Sequence, residues 1–380
     1  MTFYNWIITA IIFALLLNLL NNLKLIKPLR KGRKKLKNPP LVSVLVPARD
    51  ESDNIEKCIT SLANQDYPNY ELIVLDDNSS DDTLIKLEKL KEKFPKLQYI
   101  SGKSLPVGWT GKNFSCYTLS QYAKGQWLLF TDADTVHRKQ SISRAVSSAI
   151  RYKAMLLSVI PDITIETIAE HIFVPIIYFG LLTFLPLRLV NSSRFSKVVI
   201  ALGPFMLINA DFYRKIGGHE KIKGEIVDDF RLAQEVKKNG GKQLFMNGKE
   251  TVRVRFYKNF AAFWNGFSKN SFGAFDNSPL VFLPFIAVCI CTYLIPYIAF
   301  THEIINSKLE LLVFFQVILI TLHSIFILFK FRINRFHIIL NPISIALWIL
   351  VALNSMRLTL LDRTLVWKDR IYSLKKSSRF

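Results

Sequence analysis

Residues 2–23 carry no charged side chain, and this stretch constrains the fold more than any other. At about 1.5 Å rise per residue, a helix of that length can cross a hydrocarbon core about 30 Å thick. A secretory signal peptide is the alternative, but no basic segment precedes the run and no small-x-small cleavage site follows it. Residues 1–25 are therefore read as an uncleaved N-terminal transmembrane anchor. Three further runs without fixed charge, 277–302, 311–329 and 336–356, fill the C-terminal third. Residues 276–360 are read as C-terminal transmembrane segments.

The charges between these runs give an orientation. The juxtamembrane linker 26–40 and its approach hold Lys24, Lys27, Arg30, Lys31, Arg33, Lys34, Lys35 and Lys37 and no acid, which places that end in the cytoplasm. The loop 330–335 is basic as well and is expected on the same side. One anchor and a hairpin of two crossings satisfy both. A third late crossing would put the basic tail, 361–380, outside. The last run contains Asn341, Pro342 and Asn354, so it can be re-entrant instead, and the number of late crossings stays open. The expected location is the cell membrane, multi-pass, with the polar domain cytoplasmic. The net charge of +21 suits either a nucleic acid or an anionic membrane surface. The apolar runs favour the membrane surface, and no nucleic-acid-binding signature supports the other partner. Cys58, Cys116, Cys289 and Cys291 form no CxxC pair, which fits a reducing compartment rather than a disulfide framework.

Between about 41 and 275 the chain alternates short apolar runs with charged, helix-like segments. LVSVLV (41–46), stopped by Pro47, ELIVLD (71–76) and QWLLFTD (126–132) read as strands, and 81–93 reads as a helix. Such alternation predicts an α/β domain with a largely parallel sheet, whose ligands bind beyond the carboxyl ends of the strands. Two segments are unusually apolar for such a domain. Residues 171–187 are broken by Pro175 and Pro186, and 256–275 mix aromatics with Lys258 and Lys269. Both are read as interfacial, the first as an interfacial helix or lid rather than a crossing. Phe179 and Phe267 are candidates for a doorway to a lipid.

Polar clusters follow the strands. Asp132-Ala133-Asp134 follows WLLFT; two carboxylates so spaced can converge on a hard divalent cation, although many such triplets are solvated loop acids. Asp76-Asp77-Asn78 follows the second strand and can serve a ligand or an Asx-rich turn that caps the next helix at Ser80 or Asp81. Pro47-Ala48-Arg49-Asp50-Glu51 follows the first strand, with Arg49 offering planar contacts to phosphate or to an acid. Gly108-Trp109-Thr110-Gly111-Lys112-Asn113 combines glycines with a lysine that suits phosphate, without P-loop spacing. Asp228-Asp229 opens a helix-like segment, where acids suit the helix dipole or can act as a general base.

These clusters occur in one order, together with GPFMLINADFYRKIGG, and residues 41–275 resemble the family 2 glycosyltransferases with the GT-A fold. The resemblance implies a nucleotide-sugar donor, with Asp77 at the base and Pro47, Ala48, Arg49 and Glu51 lining the nucleotide pocket. It implies Lys112 near the diphosphate, Asp132 at the ribose and metal, Asp134 as ligand of Mg²⁺ or Mn²⁺, and Asp229 as catalytic base. Asp228 stands where that family usually has Glu. The QxxRW motif of processive synthases is absent around 264–271, which implies single transfers. GWTGKNFSC, the late apolar runs and the tail Val366-Trp367-Lys368-Asp369-Arg370-Ile371-Tyr372 resemble the carotenoid and hopanoid-associated membrane glycosyltransferases. Those often end in a WKGRxY-like tail, and here Asp369 replaces its glycine.

The implied activity is inverting transfer of a hexose, from a donor such as UDP-glucose, to a lipid-like acceptor such as a carotenoid acid or another isoprenoid. A polyprenyl-phosphate, glycolipid or surface-polysaccharide glycosyltransferase is the alternative within the class. A catalytically inactive membrane scaffold is the alternative outside it, although such a scaffold has no need of Asp77, Asp132, Asp134 and Asp229 together.

Overall fold

The structure, a computed structural model, describes residues 2–30, 37–193, 195–361, 364–367 and 370–373. Lys31, Arg33, Lys34 and Lys35 of the basic linker, and Lys368 and Asp369 of the tail, lie outside the described residues.

After helix α1 (Thr2–Leu25) the chain alternates as expected: β1 (Val42–Ala48), α2 (Ile55–Ala63), β2 (Tyr70–Asp76), α3 (Thr83–Lys93), β3 (Leu97–Ser101), α4 (Gly111–Tyr122), β4 (Trp127–Phe130), β5 (Thr135–His137), α5 (Ser141–Tyr152) and β6 (Leu156–Ile163). There follow α6 (Ile168–Phe184), α7 (Leu187–Val190), β7 (Met206–Asn209), α8 (Ala210–Lys215), α9 (Gly218–Lys221), α10 (Asp228–Lys238), β8 (Gln243–Val254) and α11 (Phe260–Asn270). Eight strands form one sheet in the order β3-β2-β1-β4-β7-β6-β8-β5. Residues of alternate parity on β1 separate its two faces: Val42, Val44 and Val46 join α2 and α5 on one side, and Leu45 joins α4 and α10 on the other.

The sheet is largely parallel, with two reversed strands. β3, β2, β1, β4, β6 and β8 run in one direction, and β7 and β5 run against them. The chain leaves β6, makes α6 and α7, and re-enters at β7 from the same end of the sheet, which forces the reversal. Nor does Pro47 stop β1, which runs to Ala48. Thr131 N donates to Leu45 O, so odd-numbered residues of β1 turn their peptide groups toward β4. The β1–β4 pairing ends at Leu45↔Phe130, so the N–H that Pro47 lacks would have pointed past the end of β4 and no ladder bond is lost.

The late apolar runs form α12 (Pro279–Tyr293), α13 (Ile295–Ile305), α14 (Leu311–Phe331) and α15 (His337–Leu360). Among the described residues, four stretches are long and apolar enough to cross a membrane: Phe3–Leu25, Pro279–Ile305, Leu311–Phe331 and His337–Leu360. α6, with 17 residues, is shorter and carries Pro175 inside it. Its first turn is closed by a capping box in which Thr167 and Glu170 exchange bonds.

Polar contacts fix the directions of these helices. At one end of the parallel α1–α14 pair, Asn5 Nδ2 donates to Glu310 Oε2 at 3.1 Å and Gln316 Nε2 to Asn5 O at 3.0 Å. At the other end Asn22 Nδ2 donates to the carbonyls of Leu182 and Leu185, both at 2.7 Å, and Lys249 of β8 reaches the carbonyl of Phe331. The Leu25 and Phe331 ends therefore both meet the α/β domain. α15 meets it at each of its own ends. His337 Nε2 lies 3.2 Å from His171 Nδ1 of α6, Phe272 N donates to Ser355 Oγ at 3.0 Å, and Asn354 Nδ2 donates to Ser268 Oγ of α11 at 3.0 Å. Phe179 is packed inside the helical layer, its ring centroid 5.0 Å from Tyr293 and 6.0 Å from His323. It is core rather than doorway. Beyond α15 the chain forms an antiparallel hairpin, β9 (Thr364–Trp367) and β10 (Arg370–Ser373).

Candidate active site

The parallel strands β1, β2 and β4 end at one edge, and the segments that follow them are laced together there. Asp77 N donates to Ala48 O at 2.7 Å, and Arg49 Nη1 donates to the carbonyls of Asp77 at 2.7 Å and Asn78 at 3.2 Å. Asp50, at φ 49°, accepts Ser80 N at 2.7 Å. Glu51 N donates to Thr83 Oγ1 at 2.8 Å, Ser52 N to Asp81 Oδ2 at 2.9 Å, and Glu51 Oε2 accepts Asn54 Nδ2 at 2.8 Å. Burial alone would raise the Asp81 carboxyl, but hydrogen bonds from Thr83 and Ser52 hold it at about 2. Asp81 thus serves the Asx-rich turn before α3. Arg49 braces the Asp77 loop through its carbonyls, while the Asp77 carboxylate itself is turned elsewhere.

That carboxylate, 5% exposed, receives a residue from the far end of the chain. Arg370 Nη1 donates to Asp77 Oδ2 at 2.5 Å and Nη2 to Oδ1 at 2.9 Å. Gly111 makes room for the pair: a Cβ there would fall 1.9 Å from Arg370 Nη1 and 3.0 Å from Asp77 Oδ2. Gly111 opens α4. Thr110 Oγ1 caps that helix by accepting Asn113 N at 3.3 Å, and Asn113 Nδ2 reaches the carbonyls of Ile222, Lys223 and Glu225 at 2.8, 3.2 and 2.9 Å. The Gly-Lys-Asn segment therefore ties α4 to the loop that precedes α10.

One residue past Gly111, Lys112 Nζ lies 2.9 Å from Asp132 Oδ1 and 3.4 Å from Asp228 Oδ2. Burial would lower the lysine, but these carboxylates raise it well above its ordinary value, and Lys112 in turn holds Asp228 down against its own burial. Asp229 takes the opposite path. Burial first, then the charge of Asp228, pushes it up to about 7. Gly203 N donates to Asp229 Oδ2 at 3.0 Å and Phe230 N to Oδ1 at 2.7 Å. Gly203 is a second close approach: a Cβ there would lie 2.8 Å from Lys112 Nζ and 2.9 Å from Asp132 Oδ2, and those side chains would have to shift. His219, which also lines this cleft, is lowered by burial to about 4 and is hydrogen-bonded through Nδ1 to Tyr213 Oη at 2.8 Å, while its backbone N donates to the same oxygen at 3.0 Å.

The third wall comes from the aromatic segment before and within α11. Burial raises Tyr257 to about 12, and the charges of Asp134 and Asp229 add to the rise, so its phenol senses both acids. Its ring lies over Gly266, where a Cβ would be 2.3 Å from Cε1, and its centroid is 5.6 Å from Phe267. Lys269 of the same helix is lowered to about 8 by burial and by Lys112, against the pull of Asp228, Asp229 and Asp132.

The edge thus gathers Pro47, Ala48, Arg49, Glu51, Asp77, Lys112, Asp132, Asp134 and Asp229 around the ends of β1, β2 and β4 and the start of α10. Three contributors have no assigned role in the sequence: Gly203 lies inside GPFMLINADF, Lys269 in the aromatic segment 256–275, and Arg370 in the tail. Asp228, noted beside the expected base, pairs with Lys112. Among the described residues no group of three or more His, Cys, Asp or Glu closes on a common point. Two carboxylates, Asp132 and Asp134, suit Mg²⁺ or Mn²⁺ in the manner of sites that complete their coordination with substrate phosphate and water. The donor set fits such a cation.

Comparison with known proteins places this geometry. Residues 43–217 match the model of glycosyl transferase family 2. The chain is 26% identical over 353 residues to the 4,4'-diaponeurosporenoate glycosyltransferase of Staphylococcus haemolyticus, a match covering 88% of this chain and 89% of that protein. It is 36% identical over 95 residues to the GalNAc(5)-diNAcBac-PP-undecaprenol beta-1,3-glucosyltransferase of Campylobacter jejuni, over 25% of this chain and 30% of that one. Among solved structures, the mannosyltransferase PcManGT from Pyrobaculum calidifontis, in complex with GDP-Man and Mn²⁺, superposes with a TM-score of 0.57 at 17% identity, covering 91% of this chain and 97% of that one. That likeness is one of fold, and it covers the late helices as well as the α/β domain.

Proposed function

We propose, from the glycosyl transferase family 2 match over residues 43–217 and the similarity to a 4,4'-diaponeurosporenoate glycosyltransferase, that this chain transfers a hexose, with UDP-glucose as donor, to a lipid-like isoprenoid acceptor such as a carotenoid acid. The observation that carries the acceptor is Tyr257. Its phenol senses Asp134 and Asp229 while its ring packs on Phe263 and Phe267. The acids therefore adjoin an aromatic layer formed by α6, α11 and α15. A long apolar acceptor stays in the bilayer, and this layer is where its polar end would meet the acids.

In this reading Asp77, with Pro47, Ala48, Arg49 and Glu51, receives the nucleoside, and Lys112 holds the diphosphate end. Asp132 and Asp134 would hold Mg²⁺ or Mn²⁺, which would supply positive charge to the departing diphosphate. The acceptor oxygen attacks the anomeric carbon as the bond to the diphosphate oxygen breaks, with inversion. A hydroxyl acceptor gives its proton to Asp229, whose pKa of about 7 suits a base working near neutrality. Two backbone amides fix the orientation of that carboxylate. An acceptor that arrives as a carboxylate needs no such transfer.

The same reading has α1, α12–α13 and α14 crossing the membrane, with the α/β domain in the cytoplasm against the anionic lipid surface, as the basic residues at 24–37 and 330–335 favour. α15 does not cross. It lies on the cytoplasmic side, because His337 and Ser355, near its two ends, both contact elements of the α/β domain or its aromatic layer.

The test uses the full chain in detergent with Mn²⁺ and a panel of UDP- and GDP-sugars, following nucleoside diphosphate release with and without membrane lipid. Lipid-stimulated release from one donor, lost in Asp134→Ala, is expected, with the acceptor then read by mass spectrometry. Folded protein that neither binds nor turns over any of these donors would support the inactive-scaffold alternative.

A further inference from the structure

The Asp77–Arg370 pair lies where the mechanism above needs a nucleotide, yet Arg370 belongs to a hairpin that follows the membrane helices. We infer that Arg370 is a donor-binding residue: the C-terminal hairpin carries its guanidinium into the nucleotide pocket, where it binds the nucleoside diphosphate beside Lys112. The inference rests on the donor reading given above and assigns it one more residue.

Three observations converge on it. The first is anchorage. Both oxygens of a buried carboxylate are matched to both Nη atoms, an arrangement that fixes a planar fork in orientation as well as position. The second is space. Gly111 leaves room that any other side chain would take from Arg370, so the pocket wall is shaped to receive the guanidinium. The third is charge. An unpaired Asp77 carboxylate at this edge would repel an incoming diphosphate; with Arg370 seated, the pair is neutral. The guanidinium then stands against the first residue of α4, whose amide end attracts anions, and one residue from Lys112. Asp77 is thereby a positioning residue for Arg370 as well as a wall of the base pocket, and donor binding depends on a hairpin attached to α15.

The experiment is equilibrium titration of the full-length protein in detergent with Mn²⁺, using UDP, UMP, GDP and GMP, on wild type, Arg370→Ala, Arg370→Gln and Gly111→Ala. Wild type is expected to bind one diphosphate more tightly than its monophosphate. Arg370→Ala should weaken that diphosphate about tenfold or more and the monophosphate less, since a charge-assisted contact is lost. Arg370→Gln keeps most of the stem and guards against loss through misfolding; it should behave as Arg370→Ala does, with unchanged gel-filtration profile. Gly111→Ala, whose methyl displaces the guanidinium, should reproduce the same selective loss. Equal weakening of diphosphate and monophosphate, or no weakening, would overturn the inference, and tighter binding by Arg370→Ala would mean that the hairpin obstructs the pocket. A wild type that binds none of the four would overturn the donor reading itself, and this inference with it.

Discussion

Gly203 N donates to Asp229 Oδ2 at 3.0 Å, and the same glycine passes within a methyl's reach of the Lys112–Asp132 pair. One bend of chain thus orients the proposed base and sets the width of the cleft in which the diphosphate would sit.

Gly203→Ala should therefore harm catalysis more than stability. The added carbon would lie 2.8 Å from Lys112 Nζ and 2.9 Å from Asp132 Oδ2, and both side chains must move. Displacing the lysine and carboxylate that would meet the diphosphate is expected to lower kcat/KM roughly tenfold or more, whereas overpacking costs the fold about 1–3 kcal/mol at most. Initial rates across donor concentration check it, with thermal unfolding as the control. Full activity would show that the cleft does not need this width.

Asp229→Asn and Asp134→Ala separate two kinds of acceptor. General-base help is worth about 10²–10⁴-fold when a hydroxyl must lose its proton. With a carboxylate acceptor, Asp229→Asn should cost far less than Asp134→Ala. Side-by-side turnover with the lipid identified above decides it. Equal, severe losses would count against a carboxylate.

The pH profile follows from Asp229. Its pKa is raised to about 7 by burial and by Asp228, and only the ionised form accepts a proton. With a hydroxyl acceptor, kcat/KM should rise with pH through about 7 and level off above it. Asp228→Asn removes a negative neighbour, which eases ionisation and should move the midpoint down. For stability the sign is reversed. A raised carboxyl favours the fold below its unfolded-state range, and that contribution is lost as pH climbs through about 7. A flat profile would remove Asp229 from the base role.

Phe267→Asp should impair transfer to lipid while sparing hydrolysis of the donor, because Phe267 packs on Tyr257 and Phe263 at the edge of the acids. Phe179→Asp serves as the contrast. It places a charge in the packed helical layer and should abolish both activities by unfolding. Loss of both in Phe267→Asp would class Phe267 with the core.

The position of α15 is checked by labelling Leu361→Cys, with Cys291 changed to Ser, using a membrane-impermeant thiol reagent. Leu361 is exposed just past the helix. Reaction in inside-out vesicles and silence in intact cells is expected. The reverse would mean that α15 crosses and the hairpin cannot reach Asp77.

Much of this was legible in the sequence because it depends on local pattern. The strands carry their apolar alternation, the DxD and Asp-Asp pairs stand where strands end and a helix begins, and the apolar runs announce themselves by length. Pro47 misled because proline's cost depends on which neighbour its missing N–H would have faced, and β4 had already ended there. The reversal at β7 was hidden because α6 and α7 resemble a crossover in sequence but return to the end of the sheet they left. Gly203 and Gly111 were ordinary glycines until the side chains they accommodate were known. The contact between Asp77 and Arg370 joins residues 293 positions apart, and no periodicity spans that distance.

That distance also has a meaning in time. A ribosome adding about 5–20 residues per second reaches Arg370 on the order of 15–60 s after Asp77, and in between it must deliver every one of the late apolar helices. The α/β domain can fold early, but the proposed nucleotide pocket would acquire its last wall only when those helices have been made and the hairpin has reached Asp77. A nascent chain stalled before that point would hold a folded domain with an unfinished pocket, so sugar would be spent only by molecules that had completed their passage into the membrane.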